Sequence, residues 1–286
     1  MHLETRASIR FSHRDKLFFE IYKSLQETFK EKFDLESFDI LFLPGSGTIG
    51  IESLFFSLEK NIELIGPKGI FWERWNDLSK IYNSASYKGT IQMFCQLETS
   101  LSETYEKQNC IVDAVSSFPF YPIPSQTLAF ATCSNKQLGS MPGLSIVGVR
   151  KDSWHHFLSK DKFSYLNLSR YKEYSIDNQT PSTPPIMIFE HLLDTIKSFD
   201  IEAHSRKIMR NSNLISNCVG NDNIIGNNVG PVITILKTSI PNEIANYFEL
   251  YGLNNSKSKY YQIFTYSCDD SQYELFSDKL NEWKNR

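Results

Sequence analysis

The chain contains 286 residues, of which 41% are hydrophobic and 22% are charged, and its formal net charge is −3 at pH 7. This composition is that of an ordinary soluble globular protein, and the length predicts one large domain or two unequal ones. Because the net charge is small and the basic residues are scattered, neither a nucleic-acid partner nor an acidic membrane surface is expected.

The cysteines and the N-terminus bear on the cellular compartment. The chain has 5 cysteines, which are widely spaced and form no CxxC pair, and this pattern is typical of a reducing compartment. Residues 1–14 have mixed charge and lack the apolar core of a signal peptide. No apolar run reaches the roughly 18 residues of a membrane span. We therefore expect a cytoplasmic protein.

The first elements predict a strand, a turn and a helix with an anion site between them. Apolar residues at spacings of three to four predict a helix over 17–33, and a short apolar run predicts a buried strand over 40–43. A Gly-rich turn, Gly45 to Thr48, leads into an apolar helix over 49–58, so that backbone N–H groups and the helix dipole face an anion. The alternative is an ordinary turn, since the spacing fits neither a Walker loop nor a dinucleotide fingerprint.

Strands and helices alternate over the next hundred residues. The predicted helix is at 72–82, and strands are predicted at 61–64, 90–97 and 144–149, together with two apolar runs that end near Asp113 and Lys136. This alternation predicts an α/β protein with a mainly parallel sheet, whose ligands would lie at the carboxyl ends of the strands. Four polar residues fall at such ends: Thr48, Thr99, Asp113 and Lys136.

The C-terminal part predicts a smaller α+β unit. Residues 152–179 show weak periodicity, and the Pro-rich segment Thr180 to Pro185 is a good helix start. Two helices follow, at 186–199 and 201–218. The Asn- and Gly-rich tract 220–230 indicates a turn or loop. The tail alternates strands and helices, at 231–236, 241–251, 260–266 and 271–283. We divide the chain into an N-terminal arm (1–15), a large domain (16–200) and a small C-terminal domain (201–286).

Two side chains suggest chemistry. Asp113 ends a buried apolar run, and a buried aspartate needs a partner, such as a protonated pyridine nitrogen, to offset its desolvation. A capping or turn aspartate is the ordinary alternative. Lys136 lies among small polar residues, where a Schiff-base lysine could lose its proton, although most lysines are surface residues. Phe71 could stack on a flat cofactor or belong to the core.

Other reactive patterns are weak. The adjacent pair His155 and His156 has no third ligand at metal spacing, so we interpret both as surface residues and expect no metal. The sequence also lacks a GxSxG elbow, an HExxH pair and a papain-like cysteine context.

The motifs occur in the order seen in class V aminotransferases, which are fold-type I enzymes that use pyridoxal phosphate. The segments Val112 to Phe118, Ser134 to Lys136 and Pro142-Gly143 most resemble those of 2-aminoethylphosphonate–pyruvate aminotransferases. Other segments also match family landmarks: Gly45 to Thr48, Phe71 with Glu73-Arg74-Trp75, Glu98 to Ser100, and Thr180 to Pro185. The resemblance spans about residues 11–218 and implies a fold-type I transferase with a mainly parallel large domain and a smaller α+β C-terminal domain.

The resemblance implies a role for each matching residue. Lys136 would form an imine with the cofactor and later move a proton, and Asp113 would pair with the pyridine nitrogen. The remaining cofactor contacts would come from Ser46, Gly47 and Thr48 at the phosphate, Phe71 and Val115 on the two ring faces, Thr99 near the ring hydroxyl, Asn135 next to the lysine, and Thr180 from the second subunit of a homodimer. The segment Ser12-His13-Arg14 resembles one that grips a substrate phosphate across the dimer in phosphoserine aminotransferases. His13 and Arg14 are therefore candidate substrate-binding residues.

Three departures from the family pattern concern the N-terminus, an internal crossover and the substrate. The Thr-Pro-Gly-Pro segment common near the family's N-terminus is missing. Only about a dozen residues separate Ser100 from Asp113, so a crossover helix is shortened or missing. Gln262 stands where the family has an arginine that clamps the substrate carboxylate, and glutamine has neither the charge nor the fork of arginine.

The sequence thus predicts a pyridoxal-phosphate-dependent aminotransferase that acts on a small anionic amino donor. One candidate donor is 2-aminoethylphosphonate, with the keto acid pyruvate as acceptor. Two alternatives remain open. The first is a lyase or decarboxylase with the same cofactor, and the second is a fold-type I protein that binds a ligand or partner without catalysis.

Overall fold

The computed structural model describes residues 12–157 and 163–286, so most of the predicted N-terminal arm lies outside the described residues. The helices in these ranges are α1 (Lys16–Lys32), α2 (Gly47–Ser57), α3 (Ile70–Tyr82), α4 (Leu168–Ser175), α5 (Ile186–Ser198), α6 (Ile201–Val219), α7 (Asn242–Tyr247) and α8 (Asp270–Lys284). The strands are β1 (Phe38–Pro44), β2 (Asn61–Leu64), β3 (Thr90–Cys95), β4 (Leu97–Glu98), β5 (Glu103–Thr104), β6 (Ile111–Asp113), β7 (Ala129–Cys133), β8 (Leu144–Arg150), β9 (Ile224–Ile225), β10 (Val232–Leu236) and β11 (Tyr260–Phe264).

A 6-stranded sheet in the order β1-β8-β7-β6-β3-β2 forms the centre of the N-terminal part of the described chain. β7, β6, β3 and β2 pair in parallel, while β8 is antiparallel to both of its neighbours, β1 and β7. Every strand except β8 therefore points in one direction, and the carboxyl ends of β1, β3, β6 and β7 lie at one edge. The prediction of a mainly parallel α/β sheet is confirmed.

Helices cover both faces of this sheet, because alternate strand residues point to opposite sides. On one face, α1 and α5 bury an aromatic cluster that includes Phe18, Tyr22 and Phe189. On the other face, α2, α3 and α4 pack on the sheet and bury a second cluster. This cluster includes Ile51 of α2, Trp75 of α3 and residues of the sheet itself. Both faces of the sheet are thus covered by helices. A ligand can therefore bind at the edge where the strands end in loops.

Helix α2 carries the chain from β1 to β2, at the opposite edge of the sheet, and packs on β7 and β8 on the way. Gly50 permits this close packing, since a Cβ there would lie 3.0 Å from the Val147 side chain and 3.2 Å from that of Ala131. The N-terminus of α2 is consequently held beside the carboxyl end of β1, as the strand–turn–helix pattern predicted.

The connection from β3 to β6 departs from the usual crossover. Residues 96–110, all of which the structure describes, contain the short hairpin β4–β5 and no helix. Parallel strands need a connection of a dozen or more residues, which this segment just provides. The expectation that the crossover helix is shortened or missing is confirmed.

The C-terminal part has its own core. α6, α7 and α8 pack around an antiparallel sheet in the order β11-β10-β9, with Ile215, Ile233 and Phe276 among its buried residues. We propose that the smaller domain begins at residue 201, where α6 starts. Within the described ranges, no helix combines the length and the apolar character that crossing a membrane requires.

Several local predictions need correction. The predicted loop at 220–230 includes the short strand β9, and the helix predicted over 241–251 ends at Tyr247. The segment 152–179, for which no element was predicted, contains a 3₁₀ helix with His155 and His156, and also α4. Asn167 caps α4 by accepting hydrogen bonds from the N–H groups of Ser169 and Arg170. That capping asparagine was a readable start signal that the weak periodicity obscured.

Candidate functional site

Several of the predicted site residues lie at or just after strands that end at one edge of the sheet, among them Thr48, Thr99, Asp113 and Lys136. Hydrogen bonds link neighbouring segments there: the Gly45 N–H donates to the Gly143 carbonyl at 2.8 Å, and the Gln96 N–H donates to the Asp113 carbonyl at 3.0 Å. The Gly-rich turn after β1 therefore lies beside the loop that carries Lys136, and the end of β3 lies beside the end of β6.

Asp113 is buried, and one of its carboxylate oxygens accepts two hydrogen bonds. Its Oδ2 accepts a hydrogen bond from Trp75 Nε1 at 2.7 Å and one from the Cys95 thiol at 3.5 Å, while its Oδ1 accepts one from the Val115 N–H at 3.0 Å. Burial raises the pKa of Asp113, and the hydrogen bonds from Val115 and Trp75 and the charge of Lys136 oppose this rise. The carboxylate thus retains donors that favour its charged form.

Lys136 lies in the loop between β7 and β8. The loop is closed by hydrogen bonds from the Gly139 N–H to the Lys136 carbonyl and from Ser140 to Ser134, both 3.0 Å long. Gly139 has φ +71, a left-handed conformation that favours glycine. The half-buried lysine is thereby presented on a fixed turn.

The Lys136 amine has two neighbours. Its Nζ donates to Ser116 Oγ at 2.7 Å and lies 5.5 Å from the centre of the Phe71 ring. The Phe71 and Trp75 ring centroids are 6.3 Å apart, and Trp75 reaches Asp113. Lys136, Phe71, Trp75 and Asp113 therefore form one contiguous group, which we call the lysine–aspartate cluster.

The N-terminus of α2 adjoins this cluster through Val115. Gly47 is buried against that side chain, since a Cβ on Gly47 would lie 2.7 Å from Val115 Cγ2. Ser46 is the residue before the helix, and in the described structure its side chain makes no capping hydrogen bond. The hydroxyls of Ser46 and Thr48 and the first N–H groups of α2 can therefore serve an anion at this helix end.

Glu98 fixes the start of α3, and the sequence reasoning did not single it out as a functional residue. Its buried carboxylate accepts hydrogen bonds from the N–H groups of Phe71 and Trp72, at 3.1 Å and 3.0 Å, and from Ser100. Burial raises the pKa of Glu98, and these donors partly oppose the rise. An acidic residue suits the positive end of a helix, so Glu98 positions Phe71 in the cluster. Its place at a strand end was the available signal.

Ser116 and Gln137 also support the cluster without having been predicted. The Gln137 amide donates to the Ser116 carbonyl at 2.6 Å and accepts from the Phe120 N–H at 3.3 Å. Its oxygen also lies 3.1 Å from His204 Nε2, on α6. Only the folded topology brings 116, 137 and 204 together, so no local sequence pattern could reveal this network.

Thr99 is one of the residues that join the part of the chain with the 6-stranded sheet to the C-terminal sheet. Ser102, which donates to the Val232 carbonyl at 2.9 Å, is another. The Thr99 carbonyl accepts a hydrogen bond from Thr234 Oγ1 at 3.0 Å, and it also accepts one from the Gln262 side-chain amide. Gln262 is the residue for which the resemblance to class V aminotransferases implied an arginine, and its side chain contacts the backbone just after β4.

Three predicted residues lie in a second group. Arg14 donates to Gln179 and lies 5.1 Å from the centre of the Tyr174 ring. Beside it, burial and the charge of Arg14 lower the pKa of His13. Thr180 is buried and donates to the Ser182 carbonyl at 2.8 Å. We call this the arginine–threonine group.

In the described part of one chain, no hydrogen bond or ring contact joins the arginine–threonine group to Lys136. Asn135 is exposed beside the lysine. Among residues 12–157 and 163–286, no group of three or more His, Cys, Asp and Glu side chains could hold a metal ion.

Comparison with known sequences gives distant relatives. No family model matches the chain. It is 25% identical over 228 residues to the soluble hydrogenase 42 kDa subunit of Anabaena cylindrica, which corresponds to 64% of this chain and 59% of that protein. It is 23% identical over 226 residues to an uncharacterized aminotransferase of Helicobacter pylori, 66% of this chain and 60% of that protein. The chain therefore spans about three-fifths of the length of these relatives.

Comparison with solved structures identifies the fold. A phosphoserine aminotransferase from Cytophaga hutchinsonii superposes with a TM-score of 0.80 at 19% identity, covering 95% of this chain and 90% of that one. An aspartate aminotransferase from Thermus thermophilus gives 0.78 at 18% identity, covering 96% and 94%. The pyridoxal-phosphate-bound phosphoserine aminotransferase of Trichomonas vaginalis gives 0.74 at 15% identity, covering 96% and 89%. The chain has the fold of fold-type I aminotransferases, which confirms the predicted fold class.

Proposed function

We propose that this chain is a pyridoxal-phosphate-dependent aminotransferase of class V. The observation that carries the proposal is the lysine–aspartate cluster at the carboxyl edge of the sheet, beside the N-terminus of α2. Two further observations support the same activity. The chain shares its fold with aminotransferases, and its Helicobacter pylori relative is named an uncharacterized aminotransferase.

The residues present fit the cofactor. When bound, pyridoxal phosphate supplies a carbonyl that forms imines with amines and a pyridinium ring that withdraws electrons. Ser46, Gly47 and Thr48 would hold the phosphate, and Phe71 and Val115 would contact the ring faces. Asp113 accepts one hydrogen bond on Oδ1 and two on Oδ2. Because each carboxylate oxygen has two lone pairs, Oδ1 can accept one further donor, such as a ring N–H.

The chain's own groups would then bind, orient and move protons. Lys136 would attach the cofactor and afterwards act as the base and acid at the substrate carbon, for which its amine must be unprotonated. The Ser116 hydroxyl would orient that amine, as it does at 2.7 Å here. Asp113 would keep a proton on the ring nitrogen by its negative charge, and Thr99 and Asn135 would complete the cofactor contacts.

We further propose a homodimer in which Thr180, His13 and Arg14 serve the partner subunit's site. The support is that these residues form a group of their own, apart from Lys136. Mixing two inactive variants tests the idea. If sites are shared, Lys136→Ala and Arg14→Ala subunits refolded together regain about a quarter of the wild-type activity, because half of the dimers carry one intact site. No recovery, with exchange of subunits demonstrated by mass, would contradict sharing. A cytoplasmic location stays a prediction.

For the substrate, we propose a small anionic amino donor, with 2-aminoethylphosphonate as the first candidate and pyruvate as the acceptor. His13 and Arg14 would supply positive donors for the anionic group. The amide of Gln262 donates to the Thr99 carbonyl, so this side chain already has a protein partner. A donor whose binding does not depend on an arginine at that position suits this arrangement.

The same observation favours a second candidate, a lyase or decarboxylase with this cofactor. A single-turnover experiment separates the two. Protein loaded with pyridoxal phosphate is mixed with each amino donor, aminophosphonates included, without a keto acid. A transaminase undergoes a lasting change in cofactor absorbance and releases one equivalent of oxo product, whereas a lyase returns to the starting spectrum. Protein that stays colourless with pyridoxal phosphate would instead support a non-catalytic binding protein.

A further inference from the structure

Asp113 is held by a donor that nothing in the proposed mechanism uses. Trp75 is 2% exposed and its indole N–H lies 2.7 Å from Asp113 Oδ2. The Cys95 thiol donates to the same oxygen, so both of its lone pairs have partners, while among the described residues Oδ1 accepts from the Val115 N–H alone. The two oxygens of this carboxylate therefore differ in what they can still bind.

Building on the proposed function, we propose that Trp75 is a positioning residue for Asp113: it fixes the carboxylate through Oδ2 and leaves Oδ1 to accept the cofactor's ring nitrogen. The geometry of α3 supports this role. Glu98 anchors the first turn of α3 through the Phe71 and Trp72 N–H groups. Phe71 and Trp75 are four residues apart and share one helix face. A single anchored helix thus carries both the ring beside Lys136 and the donor to Asp113.

The competing explanation is that Trp75 needs Asp113, rather than Asp113 needing Trp75. A buried indole N–H needs an acceptor, and Asp113 could simply provide one for a core tryptophan. The two explanations differ in what the loss of the N–H does to the cofactor. A positioning role is visible only when the cofactor has a ring nitrogen, whereas a packing defect weakens any cofactor of the same shape.

Trp72 offers a matched control on the same helix. Its Nε1 is buried and has no hydrogen-bond partner among the described residues. Trp72→Phe therefore removes an indole without breaking a hydrogen bond, while Trp75→Phe removes an indole together with its bond to Asp113.

The experiment measures cofactor dissociation constants for wild type, Trp75→Phe and Trp72→Phe, each with pyridoxal phosphate and with the analogue whose ring nitrogen is replaced by carbon. Because hydrogen bonds to charged groups are the strong ones, we expect Trp75→Phe to bind pyridoxal phosphate about tenfold or more weakly than wild type. The ratio should return to near one with the analogue, and Trp72→Phe should show no such difference between the cofactors.

Equal losses with both cofactors, or no loss with either, would overturn the positioning role. If Trp75→Phe does not fold, benzothienylalanine at position 75 keeps the shape of the indole but lacks its N–H, and the same ratio is measured. Failure of the wild-type protein to bind either cofactor is a distinct result that overturns the proposed function itself and this inference with it.

Discussion

The lysine–aspartate cluster and the contact at Gln262 differ in the parts of the chain that they connect. The cluster brings Lys136, Phe71, Trp75 and Asp113 together at the edge of the 6-stranded sheet, through hydrogen bonds and ring contacts. At Gln262, a side-chain amide from the C-terminal sheet donates a hydrogen bond to the Thr99 backbone carbonyl. One region presents the groups proposed to bind the cofactor. The other joins two parts of the chain at the position where the resemblance to class V aminotransferases implies a substrate-binding arginine.

This difference separates cofactor binding from substrate choice. The groups proposed to bind pyridoxal phosphate follow the order of the class V motifs, and Lys136, Phe71, Trp75 and Asp113 lie together in the structure. Gln262 departs from those motifs, and we propose that His13 and Arg14 bind the substrate's anion instead. Perturbing each region should therefore have different consequences.

The largest effect is expected for Lys136→Ala. Because the lysine would both attach the cofactor and move the proton, its loss should reduce turnover by about 10²- to 10⁴-fold or more. Borohydride should fix the cofactor to wild type and not to the variant, as measured by intact mass. Lys136→Arg keeps the charge but cannot form an imine, and it should also remain unmodified. A covalent adduct on Lys136→Ala would show that another lysine holds the cofactor.

Next in size is Asp113→Asn. Removing one partner of a buried ion pair costs about 3–5 kcal/mol, so affinity for pyridoxal phosphate should fall by roughly 100-fold or more. Asp39→Asn is the matched control, since Asp39 Oδ2 also accepts an indole N–H, from Trp154 at 2.7 Å, yet lies on β1. Fluorescence titration of both variants measures the affinities. Similar losses in the two would mean that Asp113 acts through stability alone.

The sequence predicted most of the fold, because periodicity and turn residues act locally. β2 falls at 61–64 as expected, and α1, α5, α6 and α8 lie within one or two residues of their predicted bounds. Short pairings such as β4–β5 and β9 could not be predicted, since two-residue strands are created by their partners rather than by their own pattern.

The site was partly readable for the same reason. Asp113 and Lys136 follow buried strands, and parallel topology brings strand ends together. The hydrogen bond of the Trp75 indole was not predicted, because its partner Asp113 is 38 positions away. Gln262 was noticed as a missing arginine, but its contact with Thr99 depends on how two domains pack, which no local pattern encodes.

A smaller effect is expected where α6 meets the Lys136 loop. His204 packs beside Phe199 and lies 3.1 Å from Gln137, and burial, with a contribution from Lys207, lowers its pKa to about 4. The unfolded chain, with an ordinary pKa near 6.5, binds more protons between these values, so stability should fall as pH drops through this window. We expect a loss of roughly 1–3 kcal/mol after allowing for partial exposure.

Urea unfolding of the wild type at pH 7 and at pH 4.5 measures that loss, and His204→Asn should lessen it because the titrating group is gone. An equal pH dependence in wild type and His204→Asn would show that other groups cause the acid sensitivity.

The smallest effect is expected for Gln262→Leu, and it bears most directly on the comparison of the two regions. The Thr99 carbonyl would lose one of its two side-chain donors and keep Thr234, so unfolding free energy should drop by about 1 kcal/mol. Affinity for pyridoxal phosphate should stay unchanged if Gln262 only joins the domains. Gln92→Leu, which breaks an exposed 2.8 Å bond to Glu63, should cost less. If Gln262→Leu instead raised KM for the amino donor more than tenfold without loss of stability, Gln262 would belong to the substrate site, and the division between the two regions would fail.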